Sequence, residues 1–232
     1  MQRRQFLFTS SALICAPLAL ISSSNALSAG TESRGFSPIL SAATDAAAIV
    51  LAFGKKIPHR GHDSLYHRQR QELLFFSRRP GRELYVVDEN SGTLLHNIKS
   101  DDGYHYYGHG CLSNDGRYLY TTENNIDKDG AGCIGIYDCE NSYNCIGHMD
   151  CEGIGPHDIA LMPDGKTLVI AIGGIKTLPS SGRKTLNPAT LAPALHYLDL
   201  QTQRVLEKVA APHYQLSLRH LDVSPDGGVL VG

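Results

Sequence analysis

The chain has 232 residues, with 21 Lys and Arg against 23 Asp and Glu, for a formal net charge of −2. That length holds one sizeable core. The near-neutral balance excludes the broad electropositive footprint of a nucleic-acid binder, since the basic stretches HRGH (59–62) and RRPGR (78–82) are local.

The first segment reads as an export signal. Arg3 and Arg4 precede an apolar run, residues 6–21, which is too short and too interrupted by Thr9, Ser10 and Ser11 to span a bilayer. Small residues follow at 22–30, and cleavage is expected near Ser24-Asn25-Ala26. QRRQFLF (2–8) has the form of a twin-arginine signal, which predicts a periplasmic protein exported already folded; an ordinary secretory signal carrying two arginines is the alternative. Cys15 follows Ile14, which is too bulky for a lipoprotein box. The expected organisation is a signal over 1–29, a loose linker over 30–37 and one β domain over 38–232. The mature chain is expected to have no transmembrane segment.

The domain opens with PILSAATDAAAIVLAF (38–53), read as a hairpin. After it, one pattern is written several times: a histidine, a short strand, an Asp-Gly turn and an apolar strand. The copies are HGCLSNDGRYLYTTE (109–123), HDIALMPDGKTLVIAI (157–172) and RHLDVSPDGGVLVG (219–232), with a degenerate copy, HDSLYHRQRQELLFFS (62–77). The turn residues Asp115, Asp164 and Asp226 recur at intervals of 49 and then 62 residues. Units of four short strands at such spacing are the signature of β-propeller blades.

The first such unit is predicted to have strands at 63–67, 72–77, 83–88 and 93–98. The second has them at 111–113, 118–123, 133–138 and 144–148. The third has them at 158–162, 167–172, 195–200 and 204–209, and a fourth begins at 221. A seven-bladed ring would need more residues than these, so the chain is expected to be a C-terminally truncated propeller of about three and a half blades plus the N-terminal hairpin.

Antiparallel pairing puts the start of each first strand and the end of each second strand at the same end of a blade. First strands are innermost, so His62, His109, His157, Arg219 and His220 are expected around one mouth of a central channel. The second-strand ends Arg78-Arg79 and Glu123 should join them, and Arg60 precedes the first copy. Counted from the turn aspartate, His157 is one residue farther out than His109 and His220, which turns it to the other face unless a bulge intervenes.

Neutral imidazoles gathered on an axis suit a transition metal, with His109, His157, His220 and Glu123 as candidate ligands. Imidazolium and arginine together suit an anion. The plain alternative is that each ring bonds a backbone carbonyl of the neighbouring blade.

Other chemistry is lacking: there is no Gly-x-Ser-x-Gly, His-Glu-x-x-His, Walker loop or Cys-x-x-Cys. Asn124, Asn125, Asp127 and Asp129 lack the Gly and Glu placement of a calcium loop and read as a solvated acidic loop. Among the cysteines, a hairpin centred on Ser142 would set Cys139 opposite Cys145 and Cys133 opposite Cys151. Opposed Cα atoms lie about 4.5–5.5 Å apart, within disulfide range. Export to an oxidising compartment makes one or two cross-strand bridges the expectation, against four small half-buried residues, with Cys111 unpaired.

The motifs RGH (60–62), RRPG (78–81), YGHG (107–110), TEN (122–124), GIGPH (153–157), GGI (173–175), GRKTLN (182–187) and SLRHL (217–221) resemble those of a family of bacterial, twin-arginine-exported proteins of unknown function. The resemblance covers residues 57–232. It implies a seven-bladed propeller and a periplasmic address beside imelysin-like and other iron-uptake proteins, and it supplies no activity.

The resulting expectation is a non-enzymatic periplasmic module binding a ligand, metal or protein partner at a His/Arg-lined mouth, with a place in iron acquisition. The rival is an enzyme, either a metal-dependent hydrolase of the lactonase kind or a quinoprotein-like oxidoreductase.

Overall fold

The computed structural model describes residues 61–78, 82–182 and 184–232. The expected signal, linker and N-terminal hairpin lie outside these residues, as do Arg60 and Arg79. Within them the chain is all β, with fourteen strands in four antiparallel sheets.

The first sheet is a four-stranded meander of β1 (Gly61–His67), β2 (Glu72–Ser77), β3 (Glu83–Asp88) and β4 (Leu94–Lys99). The second repeats it with β5 (Tyr104–Leu112), β6 (Tyr118–Asn125), β7 (Ala131–Asp138) and β8 (Asn144–Ile154). The third uses β9 (Pro156–Leu161), β10 (Thr167–Ile172), β11 (Ala194–Asp199) and β12 (Arg204–Ala210). The hairpin of β13 (Leu221–Val223) and β14 (Val229–Val231) forms the fourth. Among the described residues no sheet closes on itself.

Burial grades across each sheet as the sequence pattern demands. The second strands read as near-continuous apolar runs and are covered on both faces: every residue of ELLFFS in β2 is buried. The fourth strands are the most exposed of each sheet, as in β12.

The apolar clusters lie between successive sheets. Leu74, Phe76, Leu84 and Val86 pack on Tyr106, Leu119, Tyr137 and Tyr143. Tyr120, Ile134 and Met149 pack on Ile159, Leu168 and Ile170, and Val169, Leu195 and Tyr197 on Leu218, with Leu221 and Val229 alongside. Full burial of one such side chain contributes about 1.5–3 kcal/mol. The first strands touch one another in chain order, β1 with β5, β5 with β9 and β9 with β13, and so form a common hub.

The Asp-Gly turns at the far end from the hub histidines are structural. Gly116, Gly165 and Gly227 all take positive φ, at +72°, +66° and +87°. Asp164 Oδ1 accepts from the amides of Lys166 and Thr167 at 2.8 and 2.9 Å, and Asp115 Oδ1 from that of Arg117 at 3.0 Å. In the degenerate copy His67 supplies an inter-sheet tie instead, its Nε2 lying 2.7 Å from the carbonyl oxygen of Gly116.

The expected cysteine pairs do not form, because the hairpin turns earlier than Ser142. A 3-10 turn at Cys139–Asn141 closes it with Asp138 opposite Asn144, and two bulges follow along the ladder. Cys145 therefore faces Tyr137, and Cys133 faces Asp150. A one-residue slip sends a side chain to the opposite face of a sheet, and Cys151 packs into the cluster between the second and third sheets. All five described cysteines are free thiols.

Candidate functional site

Each hub histidine sits where its strand breaks register. The β1–β2 ladder shifts between Gly61 and Asp63, at His62. The β5–β6 ladder shifts between Tyr106 and Gly110, over the segment holding His109. The β9–β10 ladder passes from Pro156 to Asp158, skipping His157. At β13 the amides of Arg219 and His220 both donate to the Gly232 carbonyl, at 3.1 and 3.3 Å, again two residues against one. A bulge re-aims the side chain it carries. This is why the one-residue offset of His157 does not remove it from the group.

The rings converge. His62 Nε2 lies 3.1 Å from His109 Nε2. The ring centroids of His157 lie 4.8 Å from those of His109 and 5.5 Å from those of His62. His220 is 5.3 Å from His109 and 5.2 Å from His157, on the exposed rim. One ring nitrogen from each of His62, His109 and His157 falls within 4.8 Å of the other two.

The surroundings fix which nitrogens carry protons. His109 Nδ1 faces Asp63 Oδ2 at 3.0 Å and Asp158 Oδ1 at 3.5 Å, so this nitrogen bears the hydrogen and Nε2 keeps its lone pair. His157 Nδ1 lies 2.9 Å from the Arg219 carbonyl oxygen and must donate to it, which likewise leaves Nε2 bare. Burial, then the neighbouring His109, His62, His220 and Arg219, pushes His157 down to about 2, so its ring is neutral.

Burial alone would raise the Asp158 carboxyl. The contact with His220, the neighbouring His109 ring and the amides of Leu221 (3.0 Å) and Ile159 (2.8 Å) outweigh it and hold Asp158 below its usual range. Its carboxylate, 3.8 Å from His220 Nδ1, in turn raises His220 against the effect of burial.

Two small residues make the approach feasible. Gly108 has φ +104°, and a Cβ there would lie 2.4 Å from His62 Cδ2. The buried Thr122 hydroxyl reaches the carbonyls of His109 (3.2 Å) and His157 (3.5 Å), tying the first strands of two sheets together. The loop after β10 closes over this end: Tyr107 donates to the Ile175 carbonyl at 3.3 Å, Asn124 donates to that of Thr177 at 3.1 Å, and Lys176 pairs with Asp129.

Of the residues expected here, His62, His109, His157 and His220 come together, and Arg219 contributes its carbonyl. Arg78 directly follows β2, whose last residue, Ser77, pairs with Gly61 beside His62. Glu123 is a correction. On β6 the even residues Tyr120, Thr122 and Asn124 turn toward the third sheet, while Leu119, Thr121 and Glu123 turn toward the first. Glu123, fully buried, accepts from Thr121 (2.6 Å) and Tyr137 (2.7 Å) and lies 3.3 Å from His148 Nε2. It takes no part in the histidine cluster. Asp63 and Asp158 were not anticipated, although the dipeptide His-Asp, at 62–63 and again at 157–158, was there to be read.

Residues 55–232 match a family model described as Protein of unknown function (DUF1513). No curated protein matches the chain.

Proposed function

The chain belongs to the DUF1513 family, whose function is unassigned, and we propose that its hub binds one transition-metal ion through His62, His109 and His157. The observation that carries this is the fixed orientation of two rings. A carboxylate pair holds Nδ1–H of His109 and a carbonyl holds that of His157, the outer-partner arrangement of histidine ligands, which leaves neutral Nε2 donors for the ion. Neutral imidazoles suit zinc, copper, iron or nickel. The rival anion reading is disfavoured because Asp63 and Asp158 stand directly behind His109 and would repel an anion.

In this reading the four sheets are blades of a β-propeller, supported by the chain-order contacts of the first strands and the apolar clusters between neighbours. The protein is a periplasmic binding module exported by the twin-arginine route and working in iron acquisition; the RRQFLF segment and the family resemblance support this. Among the described residues no helix is long and apolar enough to cross a membrane.

Titration of chelator-treated full-length protein with Zn2+, Fe2+ and Cu2+ by calorimetry tests the proposal. One equivalent should bind at the hub, and His109→Ala or His157→Ala should weaken it by more than about 100-fold, beyond the loss typical of an outer partner. Unchanged affinity in both variants would refute it.

A second reading rests on the same geometry. Three histidines leave a fourth position for water, the arrangement of hydrolytic zinc centres. Turnover on a lactone panel, lost with chelator and in His157→Ala, would establish it; inert loaded protein would dismiss it.

A further inference from the structure

A second group of metal-ligating side chains lies away from the hub, on the face of the second sheet turned toward the first. We infer that Asp101, Cys145 and His148 form a separate site for a zinc-like divalent ion, with Glu123 against the histidine. Nothing in this inference depends on the hub.

The site is built across three strands. Glu123 projects from β6, and Cys145 and His148 project from β8, with β7 between them. Position 135 of β7 pairs with both Thr121 and His148. It is a glycine, and a Cβ there would lie 2.2 Å from Glu123 Oε1 and 2.7 Å from the Thr121 hydroxyl. The missing side chain opens the gap through which a carboxylate on β6 meets an imidazole on β8. Asp101 comes in from the connection between β4 and β5.

One donor atom each from Asp101, Cys145 and His148 lies within 4.8 Å of the other two. His148 Nε2 is 3.9 Å from Cys145 Sγ and 3.3 Å from Glu123 Oε2. Tyr104 stacks on the imidazole at 3.6 Å between centroids and 10° between planes, which fixes the direction of that nitrogen.

The geometry also decides between an ion and a nucleophilic triad. In a triad the base uses one ring nitrogen for the nucleophile and the other for its orienting acid. Here the thiol and the buried carboxylate both address Nε2, as ligands of a common ion do. A donor set of one sulfur, one nitrogen and one carboxylate oxygen is borderline-soft, the preference of Zn2+ and its spectroscopic substitute Co2+ rather than of Mg2+ or Ca2+.

Titration of full-length protein with Co2+, followed by near-ultraviolet absorption, tests the assignment. A thiolate-to-cobalt charge-transfer band should appear in the wild type and in His109→Ala. It should vanish in Cys145→Ser, and Asp101→Asn, at an exposed position, should shift its midpoint by about tenfold or more. Thermal melting of each variant confirms that it is folded. No band in the wild type, or a band retained in folded Cys145→Ser, would overturn the site.

Discussion

His62 and His109 are separated by 47 positions in the chain, yet their Nε2 atoms lie 3.1 Å apart. Two such nitrogens share one proton in the metal-free protein. The Nδ1 proton of His109 is directed at Asp63 and Asp158. Replacing Asp63 by Asn removes the nearer acceptor behind that ring, 3.0 Å against 3.5 Å, and should lower Zn2+ affinity at the hub by roughly 10- to 100-fold. Calorimetric titration measures this, and an unchanged constant would show that the carboxylates do not orient the ligand.

Gly108→Ala should damage the hub without replacing a ligand. Its φ of +104° is strained for any L side chain, and the new methyl would collide with the His62 ring. A loss of about 1–3 kcal/mol is expected from the backbone term alone, together with weakened metal binding. Urea denaturation and metal titration of the same sample report the two effects, and a variant as stable as wild type would contradict the packing described.

The first and second sheets are joined by a buried polar contact, the Tyr143 hydroxyl donating to Glu72 Oε2 at 2.6 Å. Tyr143→Phe leaves that carboxylate, 4 % exposed, with Arg70 at 2.9 Å. Hydrogen bonds to charged groups contribute about 1.5–3 kcal/mol, and a destabilisation of that size is expected in denaturant. A neutral outcome would mean that water replaces the hydroxyl.

Acid should destabilise the metal-free protein before its carboxylates titrate. Burial holds His157 at about 2, and burial also lowers His196, whose Nδ1 donates to the Cys151 carbonyl at 2.7 Å. Both folded values lie below the unfolded value of 6.5, so below that pH the unfolded chain binds protons that the folded one refuses. The contribution of these two rings is therefore full above 6.5 and falls as the pH drops toward the folded values. Denaturation midpoints between pH 7 and pH 5 should decline, less steeply in His196→Asn; a flat profile would contradict burial of these rings.

Much of the fold was legible because apolar runs and turn residues are local signals. The observed bounds of β2, β3 and β10 coincide with the expected ones. By contrast, β5 begins at Tyr104 rather than at residue 111, because an irregularity between Tyr106 and Gly110 carries the strand through a glycine-rich stretch. The histidine cluster was visible as a repeat. The choice of Glu123 over Asp63 and Asp158 failed because strand parity shows only that neighbours face opposite ways, and which face meets the hub is set by packing between sheets. The cysteine pairing failed on two bulges and an early 3-10 turn, none of which has a signature in cysteine spacing.

X-ray absorption at the zinc edge tests the central claim most directly, using Cys145→Ser protein loaded with one equivalent so that only the hub is filled. About three nitrogen neighbours at about 2.0–2.1 Å, with the multiple-scattering pattern of imidazole, are predicted. A shell of oxygen alone, with no imidazole signature, would contradict a histidine site at the hub.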